Sequence, residues 1–477
     1  MKVVFFQDDD RHHTWSSMVR PTGAHLPEDH MSQPQPTTPS ARGPNVDATD
    51  AKRIAFAAFV GTALEWYDYF LFGMAAALVF NRLFFTDLDP SAGLMAALAT
   101  FGVGFAARPI GALIFGYIGD RYGRRPALLA TIVMIGCATG LIGVLPDYLA
   151  IGIAAPILLA VLRLLQGLAV GGEWGGAITI AIEHAPERQR ARYAALVQIG
   201  SPVGTLISSA AFAAVLVLPA AEFDAWGWRL PFLAAFPLLG IALYIRFKVE
   251  ESPVFQELLE MEDRAKVPAL ALFREAGGRL LVAVAAALLG VGGFYMMTTF
   301  VVSYASTVLE VDRQAVVNAT LVAAVFQIVT TLIAGRVAER FGPGRMTVIG
   351  AVTTGVAAFP LFRLIDTAEP WAITIAVTIG ICLITLAYAV TGTLLADLFP
   401  ARLRYSGVSL GYNLAGTLSG FLPLIATALL VVDDGASWPA VLVLIGICVI
   451  TALGGVAGER IRVADVRAAE NAPTTKA

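Results

Sequence analysis

Between residues 54 and 457 the chain repeats one pattern, a run of some twenty or more apolar residues followed by a short polar break. A run of that length crosses the hydrocarbon core of a bilayer as a helix. Lipid offers no partner to backbone N–H and C=O groups, so a spanning segment of this kind has to pair them within itself. The runs fall near 54–84, 91–119, 127–145, 149–181, 191–218, 228–247, 279–305, 314–337, 346–364, 370–396, 406–431 and 437–457, and they predict an all-α membrane protein with twelve transmembrane helices. Composition agrees, with 57% hydrophobic and 14% charged residues, where a soluble chain carries about 25% charged.

Residues 1–50 are polar, rich in Pro, His, Asp and Thr, and read as a disordered cytosolic tail without a signal peptide. Met31 is a second candidate start. Cys137, Cys382 and Cys448 each lie alone in an apolar run and read as packing residues, with no metal spacing or disulfide framework. A net charge of −3 gives no sign of a nucleic-acid partner, and none is expected.

Orientation follows from the basic residues. Odd-numbered connections carry Asp87, Asp89, Asp147, Glu222, Asp224, Asp433 and Asp434. Even-numbered ones carry Arg121, Arg124, Arg125, Arg188, Arg190, Arg192, Arg336, Arg340, Arg345, Arg402 and Arg404. Arg246, Lys248, Arg264, Lys266, Arg274 and Arg279 flank the centre, and Lys52, Arg53, Arg460 and Arg462 flank the ends. Both termini are therefore expected in the cytosol.

Two motifs recur. GYIGDRYG at 116–123 matches GRVAERFG at 335–342, and EHAPERQR at 183–190 matches DLFPARLR at 397–404. The repeat predicts two six-helix bundles, 51–247 and 279–460, joined by a cytosolic loop over 248–278 whose middle is amphipathic at Phe255, Leu258 and Leu259. A cytosolic tail follows at 461–477.

Charges inside spans are few: Glu65, Asp68, Arg108, Arg163 and Glu173. Each costs about 2.5–3.5 kcal/mol at a helix centre, so such residues read as functional by default. At about 1.5 Å per residue, Glu65 and Arg108 both lie roughly 18 Å from the cytosolic edge and are expected to meet near the midplane. Arg163 falls within reach of Asp68. Simple inter-helix pairing is the plain alternative, above all for Glu173, which sits among packing glycines in GGEWGG. In the second half Tyr295, Gln327, Tyr388, Tyr412 and Asn413 are candidates for the other wall of a cavity, against a plain reading as packing residues.

The repeated loops suggest a cytosolic gate. Asp120 is expected to dock on the start of the eleventh span near Ser406 and Gly407, where free helix amides favour an anion. Arg124 or Arg125 is expected to pair with Glu183, with Arg121 beside them. The repeat predicts a mirror set, Glu339 near the start of the fifth span and Arg345 near Asp397, with Arg340 also counted in the gate. Topology alone would account for the arginines but not for the repeated acids and glycines.

GYIGDRYGRR, RLLQGLAVGGEWGG and EHAPERQR together resemble the major facilitator superfamily. EWYDYF, ARPIGA, WGWRLPF, EESPVF and RYSGVSLGYN are similar to the bacterial metabolite:proton symporters, which include carriers for shikimate, 2-oxoglutarate, citrate and proline or betaine. The likeness spans about 54 to 460, and its RYSG and GYN stretch stands nearest the shikimate type. It implies the major facilitator fold, alternating access and proton coupling in the bacterial inner membrane. In related sugar–proton symporters an acid on the first helix pairs with an arginine on the fourth, which implies that role for Asp68 and Arg163. Glu65 is a second candidate proton carrier, and Arg108 becomes the candidate ligand for an anionic substrate. GPGR at 342–345 departs from the pattern, where a run of arginines would stand.

The expected function is a proton-coupled importer of a small organic acid, with a zwitterion carrier of the same family as the alternative. No enzyme activity, cofactor or metal is expected. The partners are the substrate and the bilayer, and the carrier is expected to be a monomer. An ATP-driven pump would need a G-x-x-x-x-G-K-[ST] loop, which is absent from the sequence. An efflux antiporter would carry G-x-x-x-G-P-x-x-G-G on the fifth span, and QIGSPVGTL does not fit it. A non-transporting sensor or scaffold would need a folded signalling domain that neither tail offers.

Overall fold

The described residues fold almost wholly into helices because apolar runs in lipid have no other way to pair their backbone. The computed structural model describes residues 48–88, 90–247, 268–432 and 436–470. The amphipathic stretch at Phe255, Leu258 and Leu259 and most of the polar tail lie outside them.

The long helices are α1 (Ala48–Ala75), α2 (Pro90–Arg121), α3 (Arg124–Gly143) and α4 (Ala154–Glu183). They are followed by α5 (Arg190–Val215), α6 (Phe223–Phe247) and α7 (Leu272–Ser306). Then come α8 (Arg313–Phe341), α9 (Pro343–Ile365), α10 (Pro370–Leu398), α11 (Arg404–Gly420, continued by Leu422–Val432) and α12 (Trp438–Glu470). Among the described residues ten helices are long and apolar enough to cross a membrane. α1 carries Glu65 and Asp68, and α11 carries Ser409, Tyr412 and Asn413. Large apolar side chains such as Leu281, Val356 and Leu453 are mostly exposed, as lipid-facing residues are.

Packing follows the sequence repeat. α2 packs on α4, α3 on α4 and on α6, and α1 on α5. Six helices later α8 packs on α10, α9 on α10 and on α12, and α7 on α11. The contacts between the two sets are paired as well: α11 lies on α2, and α5 on α8. A π-helical turn follows α1 at Ala76–Phe80, and its counterpart lies within the repeat mate α7 at Met296–Phe300. The last glycine of each loop motif has its reason in the backbone: Gly123 and Gly342 take φ of 123° and 87° with extended ψ, a region closed to residues with a Cβ.

α12 runs to Glu470, beyond the last apolar run, because its polar end is held by side chains. Arg279 of α7 donates to both carboxylate oxygens of Asp465, at 2.7 and 2.9 Å.

Candidate functional site

Asp68, midway along α1, is almost fully buried, so each of its lone pairs needs a partner. Thr139 Oγ1 of α3 donates to Oδ1 at 2.6 Å, and Gln166 Nε2 of α4 donates to the same oxygen. Arg163, one turn before Gln166 on α4, donates from Nη1 to Oδ2 at 3.4 Å and to Gln166 Oε1 at 3.2 Å. The Arg163 guanidinium also lies 4.4 Å from the centroid of Phe72. The structure thus brings Asp68 and Arg163 together, and adds two neutral partners that sequence reasoning missed. Gln166 was within reach of it: at i+3 from Arg163 it must share that residue's helix face.

Glu65 and Arg108 behave differently. Both are buried, yet they make no ion pair with each other. The midplane meeting expected from depth alone is therefore not a contact, because Arg108 lies against rings, 4.4 Å from the Phe105 centroid and 5.6 Å from that of Tyr69. Among the described residues Arg108 donates no hydrogen bond and makes no ion pair. Glu65 Oε2 is likewise buried without a hydrogen-bond partner. Tyr295 of α7 stacks on Tyr69 at 6.0 Å and meets Phe105 edge-on at 5.8 Å, so Arg108 stands where α1, α2 and α7 converge. Gly416 of α11 closes the fourth side, its position for a Cβ lying 4.0 Å from Arg108 Nη1.

The other candidate wall residues separate. Gln327 and Tyr388 line a small cavity with Trp66, Ser201, Phe294 and Thr385, a wall whose polar groups are all neutral. Tyr412 stacks on Trp174 of α4, centroids 3.5 Å apart and planes 13° from parallel. Asn413 spends its amide on helix contact, donating to Gly171 O and Ser409 O at 2.8 Å each. Glu173 is held inside the first half: Arg246 Nη2 donates to Oε1 and Thr131 Oγ1 to Oε2, both at 2.5 Å.

At the ends that carry the loop motifs, the two sets of helices are latched. Asp120 caps the start of α11, accepting from Tyr405 N at 3.3 Å, Ser406 N at 3.0 Å and Ser406 Oγ at 2.6 Å. Arg124 stands 3.0 Å from Asp120 and 3.6 Å from Glu183, and donates to Ala401 O across the junction at 3.0 Å. Arg404 of α11 reaches Glu183 at 3.2 Å. Arg125 donates to Phe247 O at 2.8 Å. Arg121 lies over Tyr117, 5.9 Å from its centroid.

The mirror set is weaker. Glu339 meets Arg192 of α5 at 3.0 Å, while Arg340 is exposed at the end of α8. Arg345 is exposed too and is not brought to Asp397. In register with the first motif, Pro343 occupies the position of Arg124, so the guanidinium that would answer Asp397 is missing. Asp397 instead lies in the field of Arg190, Arg462 and Arg404.

Residues 58–422 match the sequence model of the Major Facilitator Superfamily. The chain is 37% identical over 409 residues to the shikimate transporter of Escherichia coli K12, covering 84% of this chain and 93% of that protein. It is 31% identical over 405 residues to the proline/betaine transporter of the same strain, covering 83% and 81%. Among solved structures, the proton:xylose symporter XylE bound to 6-bromo-6-deoxy-D-glucose superposes with a TM-score of 0.70 at 18% identity, over 85% of this chain and 95% of that one.

Proposed function

The chain belongs to the Major Facilitator Superfamily of membrane transporters, and on that premise we propose that it is a proton-coupled symporter importing a small organic acid. In this reading it spans the bacterial inner membrane twelve times as two six-helix bundles, with both termini in the cytosol. One observation carries the substrate assignment: a buried guanidinium, Arg108, at the meeting of α1, α2 and α7, with no carboxylate or hydrogen-bond acceptor of its own among the described residues. A buried charge left so is costly, and a substrate carboxylate relieves that cost. The shikimate transporter among the relatives supports the same class. The neutral wall of Ser201, Gln327, Thr385 and Tyr388 suits hydroxyl groups on the rest of the substrate.

In the mechanism, Asp68 takes a proton when the site faces outward, which loosens its hold on Arg163. Substrate carboxylate binds Arg108. The bundles then rock, the latch at Asp120 opens, and proton and substrate leave to the cytosol. Arg108→Gln is expected to weaken binding of anionic substrates by roughly ten- to hundredfold, the range for a lost charge-assisted contact, measured by substrate-dependent thermal stabilisation of the purified carrier. An unchanged affinity removes Arg108 from this role.

A second reading, a zwitterion carrier, draws on Glu65. Its Oε2, buried without a hydrogen-bond partner, would face the cationic end of a dipolar substrate while Arg108 faces the anionic end, and the proline/betaine transporter supports that alternative. A binding screen of hydroxy acids against betaines separates the two.

The latch makes its own prediction. Asp120→Asn keeps one acceptor oxygen for α11 but loses the charge facing Ser406 and Arg124. Charge-assisted bonds are worth about 1.5–3 kcal/mol, so the balance of states is expected to shift roughly 10- to 100-fold toward the form open at this end. Labelling of a cysteine placed at Ser409 is expected to accelerate accordingly; an unchanged rate would leave Asp120 a topological residue only.

A further inference from the structure

Arg345 is a motif residue that the latch leaves unused. Where α9 and α12 run side by side, a groove of about 660 Å³ opens on the outside of the protein. Its floor is apolar, formed by Val348, Ile349, Val456 and Val463, and its rim carries Arg345, Arg460 and Arg467. All three arginines are exposed, and none has a hydrogen-bond or ion-pair partner among the described residues. The carboxylates nearby are already answered: Glu459 by Arg462 at 2.6 Å, and Asp465 by Arg279 at 2.7 Å. Glu459 also lines the groove, its carboxylate against the first turn of α9, where a Cβ of Gly344 would stand 2.6 Å from Oε2. A groove of about 610 Å³ in the first half, along Leu129, Val133, Leu165 and Phe247, is lined by no charged residue at all.

We propose that the α9–α12 groove binds an anionic phospholipid, its acyl chains along the valine floor and its phosphate under Arg345, Arg460 and Arg467. An apolar floor rules out a free anion as the best occupant, since such an ion would use only the rim. The three guanidiniums rule out an uncharged or zwitterionic lipid as the preferred one. GPGR then has a use of its own: Pro343 removes the latch arginine from this loop, and Arg345, two residues on, turns outward to lipid.

The test is native mass spectrometry of the full-length carrier in a neutral detergent, titrated with dioleoyl phosphatidylglycerol, with dioleoyl phosphatidylethanolamine and inorganic phosphate as comparison arms. Phosphatidylglycerol is expected to bind preferentially, and R345Q/R460Q is expected to weaken it about 30-fold, at about 1 kcal/mol per guanidinium. R188Q, at another exposed arginine of the same side, is expected to leave binding unchanged. Equal binding by R345Q/R460Q, an equal loss in R188Q, or displacement of the lipid by inorganic phosphate would each overturn the assignment.

Discussion

Reconstituted in liposomes, the Asp68→Asn carrier will exchange substrate across the membrane but will not concentrate it on an imposed pH difference. Asparagine is nearly isosteric, and its oxygen still accepts from Thr139 and Gln166, the donors found at Asp68 Oδ1. What it removes is the charge 3.4 Å from Arg163 Nη1 and with it the group that gains and loses a proton. For one coupled proton each pH unit is worth about 1.4 kcal/mol, or tenfold accumulation. With two units imposed, the wild-type ratio is therefore expected to approach about 100 and the variant ratio about 1. Exchange measured in the same vesicles separates lost coupling from lost folding. Accumulation that survives undiminished in the variant transfers the proton to another group, Glu65 first, whose carboxyl has the unpaired oxygen.

The parts of this site that could be read in the sequence are those where a charge breaks an apolar run. Asp68, Arg163, Glu65 and Arg108 stand out because insertion makes them expensive. Thr139 and Gln166 did not stand out, since neutral polar residues are common in bilayers and only the fold shows which face Asp68. The latch of Asp120 on Ser406 was legible from the repeated loop motif, because an acid fixed beside a helix start has few other uses. Of its mirror, Glu339 at the start of α5 was legible too, but Arg345 beside Asp397 was not, because Pro343 takes the register position of Arg124 and Arg345 ends exposed. Depth along a helix also proved insufficient for Glu65 and Arg108. Each lies in the other's field, but the rings of Tyr69 and Phe105 take the place beside the guanidinium and no ion pair forms. The apolar runs were readable, and α1 shows how charge blurs them, since Glu65 and Asp68 lower the hydropathy of the first run.

Arg246→Gln is expected to lower the thermal stability of the carrier more than any other single substitution at a charged residue. Its sequence position, one residue before the end of α6, reads as an ordinary loop base, but the side chain runs inward. There it meets Glu173 at 2.5 Å, with 4% and 0% of the two side chains exposed, and Thr131 completes the carboxylate. Gly61 of α1 packs against both groups, where a Cβ would meet the Arg246 guanidinium and a Glu173 oxygen. The pair therefore ties α1, α3, α4 and α6 together in one buried unit. Forming such a pair costs nearly as much desolvation as it returns, whereas removing one partner strands the other and costs about 3–5 kcal/mol. Two consequences distinguish this from a loss of packing alone. Glu173→Gln together with Arg246→Gln should be more stable than Arg246→Gln by itself, because the stranded carboxylate is gone. Arg246→Lys should recover only part of the loss, since an ammonium keeps the charge but not the fork that fits the carboxylate. Thermal unfolding in detergent measures all three variants. A double variant no more stable than the single one would mean that Arg246 acts through its bulk, and that the charge of Glu173 carries no weight in holding α1, α3 and α4 to α6.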